Sequence, residues 1–185
     1  MLTPMPFVFL RHGETDWNRE RRVQGQVDVP LNSRGIAQAH DARERLRGRT
    51  IATICSSPLA RAHETARIVN EVLRRPLVLV DELMECNLSG WQGVVGGSWH
   101  DDWVGGAVPP GGGESYEGFL SRSLAGINKA LAHPGPVLIV AHGGVYWAVQ
   151  RHATCEDKYD IPNGIPVHHD PPRDLQAIWR TRVLE

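Results

Sequence analysis

Apolar residues recur along this chain in two rhythms. Unbroken runs at 7–10 (FVFL), 77–80 (LVLV) and 137–140 (VLIV), with a more mixed stretch at 51–56 (IATICS), suit strands covered on both faces. Between them the apolar positions return every three or four residues, as the buried stripe of a helix does. The stripes are Ile36, Ala39, Ala42 and Leu46, then Leu59, Ala62, Ala66, Val69 and Leu73, then Tyr116, Phe119 or Leu120, Leu124, Ile127 and Leu131. Asn32 or Ser33 caps the first helix and Gly48 ends it. Ser57 and Pro58 supply the N-cap and first position of the second, and Ser115 caps the third, which stops before Pro134-Gly135. Residues 145–152 read as a further helix, 16–31 as a polar loop, 157–172 as irregular, and 175–183 as a closing edge strand with alternating character. Strands alternating with helices predict an α/β fold, a three-layer α/β/α sandwich with a mainly parallel sheet.

Composition narrows the function classes more than the fold. A length of 185 residues fits a single domain, 1–185, large enough to need no cross-links. A formal net charge of -1 with interspersed signs argues against nucleic acid or a membrane surface as partner, while a local arginine cluster still permits a small anionic substrate. Cys55, Cys86 and Cys155 are odd in number and widely spaced, so neither a disulfide framework nor a structural zinc site is expected. The first residues lack the basic start and long apolar core of a secretory signal, and no run approaches the ~20 apolar residues of a membrane span. A cytoplasmic location is therefore expected. Nothing in the pattern sets an oligomeric state.

Chemistry gathers where the apolar runs stop. The first run ends at Arg11-His12-Gly13-Glu14 and the last at His142-Gly143-Gly144, so two strands each present an imidazole at the carboxyl edge, where open α/β sheets bind ligands. Arg61 falls in the first turn of a helix, where the dipole disfavours a cation unless an anion docks beside it. Glu85 stands among apolar neighbours before a turn, surroundings that favour the protonated form a general acid needs. Residues 93–113 are rich in Gly, Trp and Pro and suit a rim or lid. Trp99 and Trp103 lie one helical turn apart, with the core their expected destination. His100-Asp101-Asp102 is a weak metal-ligand cluster, and His168-His169 reads as a solvated pair.

Taken in order, the blocks are R-H-G-E-T, S-S-P-L-A-R-A-x-x-T-A, a Glu before S-G-W-Q-G, P-P-G-G-G-E-S and A-H-G-G. This set resembles the histidine phosphatase superfamily, also called the phosphoglycerate mutase-like family, from residue 7 to about residue 147. The resemblance implies that His12 takes up a phosphoryl group as a phosphohistidine. Arg11, Arg61 and His142 would surround the phosphoryl oxygens, with Asn18 and the amides near Gly143 beside them, and Glu85 would serve as general acid and base. It also implies that no metal or other cofactor is required. Ser89 stands where a glycine is common, and Cys86-Asn87 does not look like the flank of that Glu in the true phosphoglycerate mutases. The chain is also shorter than those mutases. Water is thus the expected acceptor and a small phosphorylated metabolite the expected substrate. A mutase-type phosphoryl transferase and a non-catalytic binding protein on the same fold are the alternatives.

Overall fold

The computed structural model describes residues 1–153, 161–172 and 178–185. Among these residues the strands are β1 (Phe7–Arg11), β2 (Thr53–Ser56), β3 (Leu77–Leu79), β4 (Val137–Ala141), β5 (Pro166–Asp170) and β6 (Arg180–Val183), forming one sheet in the order β3-β2-β4-β1-β5-β6. The first four run parallel, and β5 is antiparallel to both β1 and β6. The helices are α1 (Asp16–Arg19), α2 (Ser33–Leu46), α3 (Ala60–Leu73), α4 (Trp99–Val104), α5 (Tyr116–Leu131) and α6 (Gly143–His152). None of the described helices is long and apolar enough to cross a membrane.

The period-2 alternation of the strands divides the core in two. Val8, Leu10, Ile54, Leu138 and Val140 point to one face and pack against Ala42 and Leu46 of α2 and Ala66, Val69 and Leu73 of α3. Phe7, Phe9, Cys55, Ile139 and Ala141 point to the other and meet Phe119 and Ile127 of α5 and Val145 and Val149 of α6. Helices therefore cover both faces, giving the expected three layers. β4 lies at the centre with all five of its residues buried, as its unbroken apolar run requires.

Several local expectations are corrected. Asn32, not Ser33, caps α2, its Oδ1 accepting from Gly35 N at 2.8 Å. Ile36 is 43% exposed, outside the stripe that seats the helix. α3 begins at Ala60 rather than Pro58, and its N-cap Leu59 makes no side-chain cap bond, because Ser57 belongs to the preceding turn. The loop 16–31 contains α1, whose start is a reciprocal capping box between Thr15 and Asn18. α6 begins at Gly143, two residues earlier than the apolar spacing indicated. Residues 166–170, within the stretch read as irregular, form β5. The closing edge strand is confined to Arg180–Val183, while 173–177, like Cys155, lie outside the described residues.

His168-His169 is not a solvated pair. His169 is fully buried and stacks on Phe7 at 4.5 Å and 4°. Its Nδ1 lies 3.1 Å from the Val167 carbonyl and must carry the hydrogen, so Nε2 accepts from the Tyr146 hydroxyl at 3.0 Å. Burial pushes its pKa down to about 3. The unfolded chain binds a proton near pH 6.5 that the folded one refuses, so stability falls as pH drops from 6.5 toward 3. Between pH 6.5 and 5 this residue alone should cost about 2 kcal/mol. Urea titrations at the two pH values should show that loss shrinking by a similar amount in Tyr146→Phe/His169→Phe, which removes donor and acceptor together. An identical pH slope in the double variant contradicts the assignment.

Candidate active site

Strand register brings the site together. Arg11 pairs with Ala141, and Ser56 with Val140. The backbone pairing then runs one residue further, with His12 N donating to Ala141 O and Ser57 N to Val140 O, both at 3.0 Å. His12, His142 and Ser57 thus leave the carboxyl edge side by side, with His142 in the middle. The loop after β1 is held tightly against the start of α2: a Cβ on Gly13 would collide with the Gly35 carbonyl, and one on Gly35 with the Glu14 carbonyl. Only two glycines let these backbones meet.

The His12 ring is 2% exposed, with Nδ1 2.7 Å from the Gly13 carbonyl. A carbonyl can only accept, so Nδ1 carries the hydrogen and Nε2 keeps its lone pair. Burial, then the charges of Arg61 and Arg11, hold the His12 pKa well below the usual histidine range and keep the ring neutral. The His142 ring lies 5.1 Å away and is also fully buried. Burial, then Arg61, His12 and Arg11, likewise depress its pKa. Its Nε2 is 2.8 Å from Ser57 Oγ, while Nδ1 has no hydrogen-bond partner. Ser57, expected as a helix cap, instead orients this second imidazole.

Arg61 neither extends into water nor spends its charge on a carboxylate. It is 1% exposed, with Nη1 donating to Val27 O at 2.9 Å and Nη2 to Gly25 O at 2.8 Å, while the buried Nε has no hydrogen-bond partner. Arg11 donates from Nη1 to Ile161 O at 2.9 Å, and its guanidinium lies against Gly143, where a Cβ would sit 3.3 Å from Cζ. The Arg61 guanidinium, held by neutral carbonyls, keeps its positive charge for an anion. Thr15 N donates to Asn18 Oδ1 at 3.1 Å, so the side-chain amide N–H groups are what Asn18 can offer.

Glu85 closes the site from the far side. Its Oε2 accepts from Gly144 N at 3.1 Å and its Oε1 from Cys86 N at 3.0 Å. A side chain at 144 would strike Oε1, so the second glycine of A-H-G-G makes room for the carboxylate. The loop carrying Glu85 is clamped from α5 by Arg122. This side chain donates to the backbone oxygens of Glu82, Met84 and Glu85 at 2.8, 2.9 and 3.2 Å, and binds the Glu114 carboxylate through Nε and Nη2 at 2.6 and 2.7 Å. Ser89, just beyond, has φ of 41°, the left-handed region that favours glycine. That region costs an ordinary residue about 1–2 kcal/mol, more than the ~0.5–1 kcal/mol that glycine costs in chain entropy. Ser89→Gly should therefore raise stability by up to about 1 kcal/mol in urea denaturation, and a loss of stability contradicts the strain.

Arg11, His12, Asn18, Arg61, Glu85 and Gly143 all line one hollow of about 230 Å3, and His142 borders it through its ring contact with His12. Of the residues singled out from sequence for this site, all but His142 line the hollow. Gln24, in the polar loop 16–31, also lines the hollow and accepts from Thr15 Oγ1 at 2.9 Å, and Trp147 was missed. Ser57, Glu114 and Arg122 were missed as positioning groups. The block P-P-G-G-G-E-S was a signal for Glu114, but nothing local marked Arg122.

Helices on both faces of a mainly parallel sheet, with two imidazoles and two guanidiniums gathered at its carboxyl edge, define a phosphoglycerate mutase-like α/β enzyme. The chain belongs to the histidine phosphatase superfamily (branch 1), whose family model matches residues 7–169. It is 36% identical over 142 residues to the uncharacterized phosphatase PhoE of Bacillus subtilis, covering 76% of this chain and 72% of that one. It is 34% identical over 169 residues to a metal-independent phosphoserine phosphatase of Arabidopsis thaliana, covering 80% and 68%. Among solved structures, the phosphoglycerate mutase of Thermus thermophilus superposes with a TM-score of 0.77 at 29% identity, over 98% of this chain and 99% of that one.

Proposed function

We propose that the protein is a metal-independent phosphomonoesterase that hydrolyses a small phosphorylated metabolite through a phosphohistidine on His12. The observation carrying this reading is the fixed tautomer of His12, a neutral ring with a free Nε2 lone pair beside two guanidiniums. In the first step Nε2 attacks phosphorus and the P–O ester bond breaks. Glu85 gives its proton to the departing oxygen. Arg11, Arg61 and His142 bind the non-bridging oxygens as charge spreads over them, assisted by the Gly143 amide and Asn18. In the second step the Glu85 carboxylate takes a proton from water, the water oxygen attacks phosphorus, and the P–N bond breaks to return neutral His12 and inorganic phosphate. The side chains supply the positive charge that a metal supplies elsewhere.

Brief reaction with a phosphorylated substrate, followed by quenching, should leave an acid-labile, base-stable phosphoryl group on His12 that mass spectrometry localises. Phosphate release from an enzyme that never becomes labelled counts against the proposal. The likeness to a solved phosphoglycerate mutase makes phosphoryl transfer the competing reading. Isotope exchange between phosphorylated donor and acceptor, without net phosphate release, would select it. The departures at Cys86-Asn87 and Ser89 favour water as acceptor.

A further inference from the structure

The hollow is lined by apolar side chains as well as by charged ones. Val23, Cys86, Leu88, Trp99 and Trp147 line it, and the two indoles are the largest of these side chains. Both are half-buried and both are braced. The His100 ring packs edge-on between them, 5.6 Å from Trp99 and 5.1 Å from Trp147. The helix α4 that carries Trp99 is fixed by Trp103, which is fully buried and donates from Nε1 to Glu114 O at 2.8 Å. Of the tryptophan pair expected in the core, one anchors the rim and the other is free to meet a ligand.

Among the described residues, the arginine lining the hollow besides Arg11 and Arg61 is Arg22. Its Nε donates to Glu20 at 3.1 Å, its Nη1 to Gly93 O at 2.8 Å, and its guanidinium lies 5.5 Å from the Trp17 ring centre. That charge is shared with Glu20, and the Glu85 carboxylate lines the same hollow, so a second anionic group on the substrate finds no further cation among the described lining residues.

We infer that the hollow takes phosphate monoesters whose leaving group is an uncharged planar ring, held against Trp99 and Trp147. Ring-on-indole contact contributes beyond simple burial, and braced aromatic walls offer it at little cost in side-chain freedom. The inference rests on the phosphatase reading and specifies its substrate class. Carboxylated substrates such as 3-phosphoglycerate are disfavoured by the same walls.

The test compares kcat/KM for 2-phenylethyl phosphate, propyl phosphate and 3-phosphoglycerate, all esters of alkyl alcohols, so that ring recognition is separated from leaving-group reactivity. The wild type should prefer the phenylethyl ester to each of the others by about tenfold or more. Trp99→Ala and Trp147→Phe should each reduce the phenylethyl-to-propyl ratio severalfold, Trp147→Phe guarding against misfolding of a larger truncation. Equal turnover of all three esters, a preference for 3-phosphoglycerate, or an unaltered ratio in both variants overturns the ring subsite and leaves the phosphatase intact. If no ester is hydrolysed and no phosphoenzyme forms, the phosphatase reading falls and the subsite falls with it.

Discussion

His12→Ala is expected to abolish both phosphate release and covalent labelling, with kcat lowered on the order of 10^4-fold or more. No other described group can take its place. His142, the nearest imidazole, has Nε2 bonded to Ser57 and its ring centre 5.1 Å from that of His12. Cys86 lines it, but burial and the neighbouring carboxylate of Glu85 push its thiol well above the usual range and keep it protonated. The substitution removes a buried ring from the edge of the sheet without touching the backbone bond from His12 N to Ala141 O, so the fold should persist. Rapid-quench labelling and a thermal melt on the same preparation distinguish loss of chemistry from loss of structure. Turnover that survives in a folded His12→Ala protein disproves the phosphohistidine.

Glu85→Gln is the second large effect, and its signature is selective. The amide oxygen can still accept from one of Gly144 N and Cys86 N, at the loss of the other bond, and Arg122 still clamps the loop by its backbone, so the loop is held while the transferable proton is lost. For an alkyl phosphate, whose alkoxide leaves poorly, kcat should fall about 10^2- to 10^4-fold. A nitrophenyl phosphate needs no protonation and should lose far less. Equal losses on the two esters would remove Glu85 from the acid role.

The parts of this site that were legible in the sequence share a physical origin. An apolar run that stops at a histidine followed by glycine marks a strand end, and two such ends, at His12 and His142, mark the edge of the sheet. Arg61 and Glu85 were legible because a cation at a helix start and a carboxylate among apolar neighbours are costly unless something uses them. What stayed hidden depends on tertiary partners. Ser57-Pro58 has the local grammar of a helix cap, yet Ser57 is claimed by an imidazole 85 residues away. Residues 166–170 (PVHHD) have weak strand propensity and become β5 only because β1 and β6 flank them. His169 looked solvated because the sequence does not show that Phe7 and Tyr146 enclose it. Arg122 was invisible for a related reason, since an arginine on an amphipathic helix normally belongs to the wet face.

The strand order carries a consequence for how the protein comes into being. β1, which leads directly into His12, pairs with β4 and β5 and with no strand nearer in the chain. During synthesis on the ribosome it must wait, solvent-exposed and strongly apolar, until residues beyond 137 have emerged from the exit tunnel. A nascent polypeptide cut short before that point holds Arg11, His12, Arg61 and Glu85 but lacks β4 to align them, so the hollow takes shape late in synthesis.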